Sequence, residues 1–241
     1  MKGGQSLVRV RNLCRSLASL WVPPQCPSCY VRVNAAGVCD DCFTLLLAEA
    51  PASETVLSLS QTGRLPQRDI LLRAAGRYEG IWRNLVQSFK ADPAPPLPDW
   101  VCRRFESLGR SGGEDPVLLP VPMHRVRRRE RGVNPAEVLA EGLANILGWD
   151  LEVRALERVR YRRPLRGLSA GARKREMVAA IRIRPTVADR LRGRAVWIVD
   201  DVLTTGSTVD ACFQACREAD VSGTGAVVLA WAPLLESEPQ A

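Results

Sequence analysis

The sequence predicts an α/β protein built on a doubly wound, mostly parallel β-sheet, with a small cysteine-rich segment in front of it. Three apolar runs, at residues 117–121, 195–199 and 226–230, are short and bounded by turn residues. Runs of this kind are typical of strands that are buried on both faces of a parallel sheet. Helical patterns alternate with them along the chain, and this alternation favours a sheet that is covered by helices on both sides.

The composition indicates a folded protein, which we expect in the cytoplasm. Of 241 residues, 46% are apolar and 25% are charged, close to the average for globular chains. No apolar run approaches the roughly 18 residues that span a bilayer, and Arg9, Arg11 and Arg15 interrupt the stretch that a secretory signal would need. Because cytoplasmic thiols stay reduced, the eight cysteines are expected to bind metal or to be buried rather than to form disulfides.

The first 62 residues are predicted to form a separate module. Apolar residues recur every three to four positions over residues 7–21, which indicates an amphipathic helix that ends before Pro23. This helix would pack against the protein or lie on a membrane surface. Four cysteines follow at residues 26–42, and a polar stretch without a period begins near residue 51. We place the boundary there, between a module of residues 1–62 and a domain of residues 63–241.

Helices in the domain are predicted from their end signals. Asn134 has the side chain of an N-cap, Pro135 suits the first helical position, Glu137 would complete a capping box, and Gly148 ends the pattern. A helix of about a dozen residues is expected to begin near Thr208. The remaining elements are a strand at residues 70–75, a helix at 79–90, a proline-rich break at 92–98 and a helix near Trp100.

Two Cys-x-x-Cys pairs predict a metal site. Cys26 and Cys29 form the first pair, and Cys39 and Cys42 form the second, with nine residues between the pairs. Four thiolates at this spacing suit a tetrahedral zinc ion. A redox role is the competing interpretation, but redox chemistry needs a single pair that follows a strand. We therefore expect a closed, structural zinc site.

The strand at residues 196–199 leads into two acids and a hydroxyl-rich turn. Asp200 and Asp201 follow the apolar run, and the turn then opens the next helix. Backbone N–H groups and hydroxyls at a helix N-terminus bind phosphate, whereas the two carboxylates suit vicinal sugar hydroxyls or Mg²⁺. A sugar phosphate satisfies both demands, and an ordinary capped helix is the alternative. The residues of the predicted phosphate loop are Thr204, Thr205, Gly206, Ser207 and Thr208.

Positive charge is concentrated in one part of the chain. The formal net charge is +8, and residues 124–194 hold 19 Lys and Arg against 8 Asp and Glu, a local balance of +11. Arginine forks suit phosphate, so this part could bind a phosphate-bearing ligand or nucleic acid, with a solvated basic face as the alternative. Residues 158–175 could be a mobile lid or a nucleic-acid track. His124 is the sole histidine, which argues against a Ser-His-Asp or Cys-His hydrolase, and it is expected in a loop.

The run from Val196 to Thr208 resembles the phosphoribosyl-pyrophosphate motif of type I phosphoribosyltransferases. Together with the paired cysteines it resembles the ComF family, in which a zinc module precedes a phosphoribosyltransferase domain and which is associated with DNA uptake in natural transformation. The resemblance implies that Asp200 and Asp201 form the catalytic pair that holds the ribose hydroxyls, and that residues 204–208 hold the 5′-phosphate. It also implies phosphoribosyl pyrophosphate with Mg²⁺ as the ligand.

Further expectations follow from the same resemblance. The segment of residues 120–131 would be a loop facing the pyrophosphate, with Arg125 and Arg128 among its ligands. Single-stranded DNA and proteins of the DNA-uptake machinery would be partners. The family pattern has Gln where this chain has Pro135, Gln near Leu165 and Asn near Glu176, and it often has a glycine after the position of Lys90. These segments would face the mouth of the site, so the resemblance implies that the acceptor side is altered. A non-enzymatic DNA-binding module or a nucleotide-sensing regulator is the alternative to an enzyme that transfers a pentosyl group. Cys14, Cys102, Cys212 and Cys216 are expected to be buried apolar residues.

Overall fold

In a computed structural model, residues 25–33, 37–48, 55–58, 69–91, 97, 99–110, 114–158 and 181–232 are described. Contacts divide the chain into two units, Met1–Glu49 and Ala50–Ala241. The strand at Thr55–Ser58 pairs with the sheet, so it counts with the larger unit, although the expected boundary at residue 62 placed it with the cysteines. That the two units are separate domains stays a prediction. The amphipathic helix expected at residues 7–21 lies outside the described residues.

The smaller unit is built around its cysteines. Helix α1 (Asp40–Ala48) buries Cys42 and Leu46 and carries two aspartates in its first turn, where acidic side chains are favourable. The first cysteine pair lies in a tight turn, since the Cys26 N–H donates to Val31 O at 2.8 Å and the Tyr30 N–H donates to Cys26 O at 2.9 Å. This turn and the helix N-terminus hold the two cysteine pairs at opposite sides of one small cluster.

A six-stranded sheet forms the centre of the larger unit. Its order is β1-β2-β8-β7-β3-β4, and every pairing is parallel except the antiparallel pairing of β1 with β2. Strands β5 and β6 form a separate antiparallel pair. The strands are β1 (Thr55–Ser58), β2 (Asp69–Arg77), β3 (Val117–Pro120), β4 (Asp150–Leu151), β5 (Leu156–Arg158), β6 (Ile181–Ile183), β7 (Val196–Leu203) and β8 (Gly223–Trp231).

Helices cover the sheet, and both of its faces are buried. Leu119, Ile198 and Val228 belong to one buried cluster, while their neighbours Trp197 and Leu229 are buried as well. Successive residues of a strand point to opposite faces, so burial of both sets confirms the doubly wound, mostly parallel fold. The helices are α2 (Gly80–Ala91), α3 (Asp99–Arg103), a 3₁₀ helix (Glu106–Arg110), α4 (Arg125–Arg131), α5 (Pro135–Leu147), α6 (Pro185–Leu191) and α7 (Ser207–Glu218).

Most of the residues that were predicted to begin or end a helix do so in the structure. The Asn134 side chain accepts from the Ala136 N–H at 3.3 Å, Pro135 is the first residue of α5, and Gly148 ends that helix with a φ of 69°. Glu137 differs, because its carboxylate accepts hydrogen bonds from Arg128 instead of closing a capping box on the backbone. Cys102, Cys212 and Cys216 are buried as predicted, and Cys14 lies outside the described residues.

The segment of residues 120–131 is not the loop that the sequence suggested. Its second half is helix α4, and His124 is the N-cap, with Nδ1 accepting from the Val126 N–H at 3.3 Å. Arginine is a good helix former, which favours this local structure in an arginine-rich stretch. As for membranes, no helix among the described residues has both the length and the apolar character needed to cross one.

Candidate functional site

The two acids lie in the second half of strand β7. Val196 to Val199 are buried, whereas Asp200, Asp201 and Val202 are partly exposed. The strand continues to Leu203 and does not end at the acids as expected, because its pairing with β8 continues through Val202 and Leu203. The carboxyl ends of parallel strands meet at one edge of a sheet, where open α/β proteins bind ligands. The acid pair therefore lies near the ligand-binding edge.

The two carboxylates are contacted by a backbone N–H group and by a lysine. The Asp201 N–H donates to Asp200 Oδ1 at 2.9 Å, and Lys90 Nζ lies 3.4 Å from Asp201 Oδ1. Burial and the neighbouring Asp201 charge raise the pKa of Asp200 to about 7, although the Asp201 N–H and the cations of Lys90 and Arg158 oppose the rise. Ionisation of Asp200 is therefore disfavoured, and Lys90 holds Asp201 in an ion pair.

Two basic side chains, those of Lys90 and Arg158, lie near the acid pair. Lys90 comes from the last turn of α2, and Arg158 comes from β5, so both are far from the acids in the chain. The Arg158 Nε–H donates to Pro122 O at 2.7 Å, which links β5 to the segment that follows β3. No local pattern places either residue next to the acids, because that proximity depends on the strand order.

The predicted phosphate loop connects β7 to α7. Gly206 has a φ of 72°, which favours glycine, and caps α7 without a side-chain hydrogen bond. The hydroxyls of Thr205 and Ser207 lie 2.9 Å apart, and Thr204 and Thr205 are exposed. The first N–H groups of a 12-residue helix and several hydroxyls thus lie a few residues beyond the acid pair. This arrangement can bind an anion next to a group that carries hydroxyls.

The expected diphosphate ligands lie on helix α4. Arg128 makes a two-pronged ion pair with Glu137, with N–O distances of 2.6 and 3.0 Å. Arg125 is the first residue of the helix, and Arg127 and Arg129 have exposed side chains. The guanidinium of Arg128 is thus engaged in the ligand-free protein, and its role toward a diphosphate stays a prediction.

Several other residues singled out in the sequence are not part of this described site. Pro135, which was expected near the mouth of the site, is buried as the first residue of α5. Leu165, Glu176 and most of the predicted lid lie outside the described residues. The large aromatic residues that the structure buries serve packing, as in the Trp149–Trp197 pair with ring centroids 5.7 Å apart.

The four paired cysteines form one cluster. Their Sγ atoms all lie within 4.8 Å of one another, and the Sγ atoms of Cys29 and Cys39 are 3.6 Å apart. Zinc–sulfur bonds of about 2.3 Å in a tetrahedron require sulfur atoms roughly 3.8 Å apart. The donor set and its spacing fit a structural zinc ion, with all four positions taken by protein. A redox pair would not need four converging thiols.

Backbone N–H groups also favour the thiolate form of Cys26. Burial opposes ionisation of Cys26, but N–H groups of Cys29, Cys39 and Ser28 outweigh it and lower the thiol pKa to about 6. Burial raises the pKa of Cys42 to about 12. A bound zinc ion would supply positive charge that favours the thiolate form of these sulfurs.

Comparison with known proteins supports the resemblance drawn from the motifs. A search of protein-family models finds no match. Curated relatives include Competence protein F of Haemophilus influenzae, 32% identical over 105 residues, which are 44% of this chain and 45% of that protein. DNA utilization protein YhgH of Salmonella typhi is 38% identical over 92 residues, 38% of this chain and 39% of that protein. The aligned parts are thus less than half the length of these relatives. Their names confirm the ComF resemblance.

A search of solved structures finds partial matches, one of them to a phosphoribosyltransferase. The purine phosphoribosyltransferase of Pyrococcus horikoshii is 19% identical, with a TM-score of 0.35, and the match covers 59% of this chain and 78% of that one. TT1426 of Thermus thermophilus is also 19% identical, with a TM-score of 0.30, over 65% of this chain and 86% of that one.

Proposed function

We propose that this chain binds phosphoribosyl pyrophosphate together with Mg²⁺. The observation that carries the proposal is the placement of Asp200 and Asp201 on β7, directly before a glycine-containing hydroxyl loop that opens α7. The carboxylates would accept hydrogen bonds from the ribose hydroxyls, and Thr204 to Thr208 would hold the 5′-phosphate. Mg²⁺ would neutralise part of the diphosphate charge when bound.

If the site turns over, the chain acts as a phosphoribosyltransferase. A nucleophilic acceptor then bonds to C1 of the ribose while the bond from C1 to the pyrophosphate oxygen breaks, and pyrophosphate leaves with the electron pair. This displacement needs no covalent protein nucleophile, so the protein contributes positioning and charge stabilisation. On the acceptor side, Leu165 and Glu176 depart from the family pattern.

A thermal-shift titration tests the ligand. A compound that binds the native state raises its melting temperature. We expect phosphoribosyl pyrophosphate to raise it in a concentration-dependent way, and to do so more strongly with Mg²⁺. The double variant Asp200→Asn, Asp201→Asn should lose this response, whereas Asp189→Asn on α6, an exposed aspartate, should keep it. No response from the unaltered protein would refute the proposal.

A role in DNA utilization during natural transformation is the second part of the proposed function. It is supported by the names of the relatives, by the local charge of +11 over residues 124–194 and by the exposed Arg127 and Arg129 on α4. Under this proposal single-stranded DNA binds the arginines in the cytoplasm, with DNA-uptake proteins as further partners.

The DNA part is tested with a labelled oligonucleotide at several salt concentrations. Binding through about five phosphates predicts a roughly hundredfold loss of affinity between about 50 and 200 mM salt. The triple variant Arg162→Glu, Arg163→Glu, Arg166→Glu should weaken DNA binding and leave the thermal response to phosphoribosyl pyrophosphate in place. A flat salt response, or no binding at low salt, would refute the DNA part alone.

A further inference from the structure

Exposed apolar side chains are concentrated in the small unit around the cysteine cluster. Among the described residues, large apolar side chains are exposed at five positions, and four of these belong to the small unit: Tyr30, Val31, Leu45 and Leu47, which are 50–63% exposed. The fifth is Val126 on α4. A single exposed apolar residue is ordinary on a protein surface, whereas a group of them on so small a unit indicates a surface that another segment or molecule covers.

Two of the four side chains come from helix α1. This helix buries Cys42 and Leu46 in the small unit. Successive residues of a helix are rotated by about 100°, so Leu45 and Leu47 lie on the two flanks of Leu46 and border the buried stripe. Their exposed parts therefore continue the apolar interior of the unit outward instead of standing apart from it.

The other two side chains lie where the chain enters the small unit. Tyr30 and Val31 belong to the turn of the first cysteine pair, and the next residue, Arg32, forms an antiparallel bridge with Gln25. The residues before Gln25 lie outside the described residues. Three residues, 22–24, separate Gln25 from the apolar pattern of residues 7–21. The chain thus places this pattern directly next to the exposed turn.

The segment of residues 7–21 has the chemistry to cover the surface. Its apolar residues recur at helical spacing. A helix over this segment would be about 22 Å long, which is comparable with the dimensions of a unit of about 50 residues. Helices of this length are marginal in water unless an apolar face is buried by packing. The segment therefore needs an apolar surface, and the small unit offers one within reach.

We propose that residues 7–21 dock through their apolar stripe on the surface formed by Tyr30, Val31, Leu45 and Leu47. The segment and the cysteine cluster then form one folded unit. A second copy of this chain and a membrane are the competing occupants of these apolar groups. A segment that is joined to the surface by three residues has a high effective concentration there, which favours it over a second copy.

The reactivity of Cys14 toward iodoacetamide tests this docking. Cys14 lies four residues after Val10 and three before Leu17, so at helical spacing it belongs to the apolar stripe. The reagent alkylates this thiol while the segment is undocked. The rate is measured for the Cys14 peptide by mass spectrometry, on the whole chain loaded with zinc. A synthetic peptide of residues 7–21 gives the rate of the unprotected thiol.

Three variants accompany the unaltered protein. The double variant Leu45→Gln, Leu47→Gln removes two apolar contacts at positions that are 55% and 53% exposed, so the interior of the unit is left in place. Leu17→Gln alters the segment and leaves the described part of the small unit unchanged. Val126→Gln is the control, because it makes a similar change at a position that is 53% exposed outside the small unit. The zinc content of each sample shows whether the cysteine cluster is folded.

We expect Cys14 of the unaltered protein to react at least about tenfold more slowly than the peptide. The double variant should react about 10- to 30-fold faster than the unaltered protein, since each leucine loses the burial of about half a side chain. Leu17→Gln should have a similar effect, and it tests the docking independently if the double variant loses zinc. Val126→Gln should match the unaltered protein.

Four results would overturn the inference. The first is a Cys14 of the unaltered protein that reacts as fast as the peptide. The second is protection that persists in zinc-loaded double variant and in Leu17→Gln, because another surface then covers the segment. The third is protection that is lost on dilution together with a dimer mass in light scattering, which would assign the surface to a second copy. The fourth is protection that requires anionic phospholipid vesicles, which would assign the segment to a membrane.

Discussion

Neutralising Asp200 is expected to stabilise the folded protein above pH 5 while it impairs ligand binding. Burial and the charge of Asp201 raise the pKa of Asp200 from an ordinary 3.8 to about 7. The folded state therefore holds a proton that the unfolded chain has released, and stability falls as pH rises from about 4 to 7. Asp200→Asn removes this penalty, because an amide does not ionise, and its oxygen can still accept from the Asp201 N–H.

The magnitude follows from the pKa difference. A difference of roughly three units corresponds to about 4 kcal/mol at pH 8. About 2 kcal/mol of this develops between roughly pH 5.5 and 8, since below that range part of the penalty is already present. The variant and the unaltered protein share every other titrating group, so the difference between their unfolding free energies isolates Asp200.

Urea unfolding of both proteins from about pH 5.5 to 8.5 measures this difference. We expect Asp200→Asn to be the more stable protein, with an advantage that grows with pH and levels off above 7. Asp189→Asn is the control, because that side chain is 82% exposed on α6, and its difference should stay flat. A flat or negative difference for Asp200→Asn would show that the buried carboxylate carries no ionisation penalty.

Three further predictions address the cysteine cluster, the loop and the sheet. Purified protein should contain about one zinc per chain by elemental analysis. Cys42→Ser should lose most of this zinc and unfold the small unit, because structural zinc contributes on the order of 10–16 kcal/mol to folding. Full zinc content in the variant would contradict the four-cysteine site. Gly206→Ala should lower the free energy of unfolding in urea by about 1 kcal/mol, because a residue other than glycine is strained at a φ of 72°. The same variant should bind phosphoribosyl pyrophosphate more weakly. Unchanged values for both measurements would refute this prediction. Gly225→Ala should cost about 1–3 kcal/mol, because its Cβ would lie 2.6 Å from Leu71 O and 2.5 Å from the Trp197 ring, and neutral behaviour would show that the strands separate easily.

Several features could be predicted because their causes lie within a few residues. The caps at Asn134 and Gly148 are determined by side-chain chemistry at one helix end, and the structure confirms both. Helix α4 lacks such a signal, because histidine is not among the preferred N-cap residues, and the sequence predicts a loop where His124 caps the helix. The sequence predicts that strand β7 ends at the acids, and pairing with β8, which no local pattern records, carries it on to Leu203.

By itself the sequence determined the two chemical motifs of this protein, the four cysteines and the acid pair with its hydroxyl loop, because the spacing of neighbours along a chain limits what they can bind together. The tertiary structure alone decided which charges face those motifs. The strand order brings Lys90 close to Asp201, and the packing of α4 and α5 pairs Arg128 with Glu137. Burial sets the pKa of Asp200 near 7, and burial is a property of the folded surface. Electrostatic contacts act through space, so residues remote in sequence determine the charge state of the site.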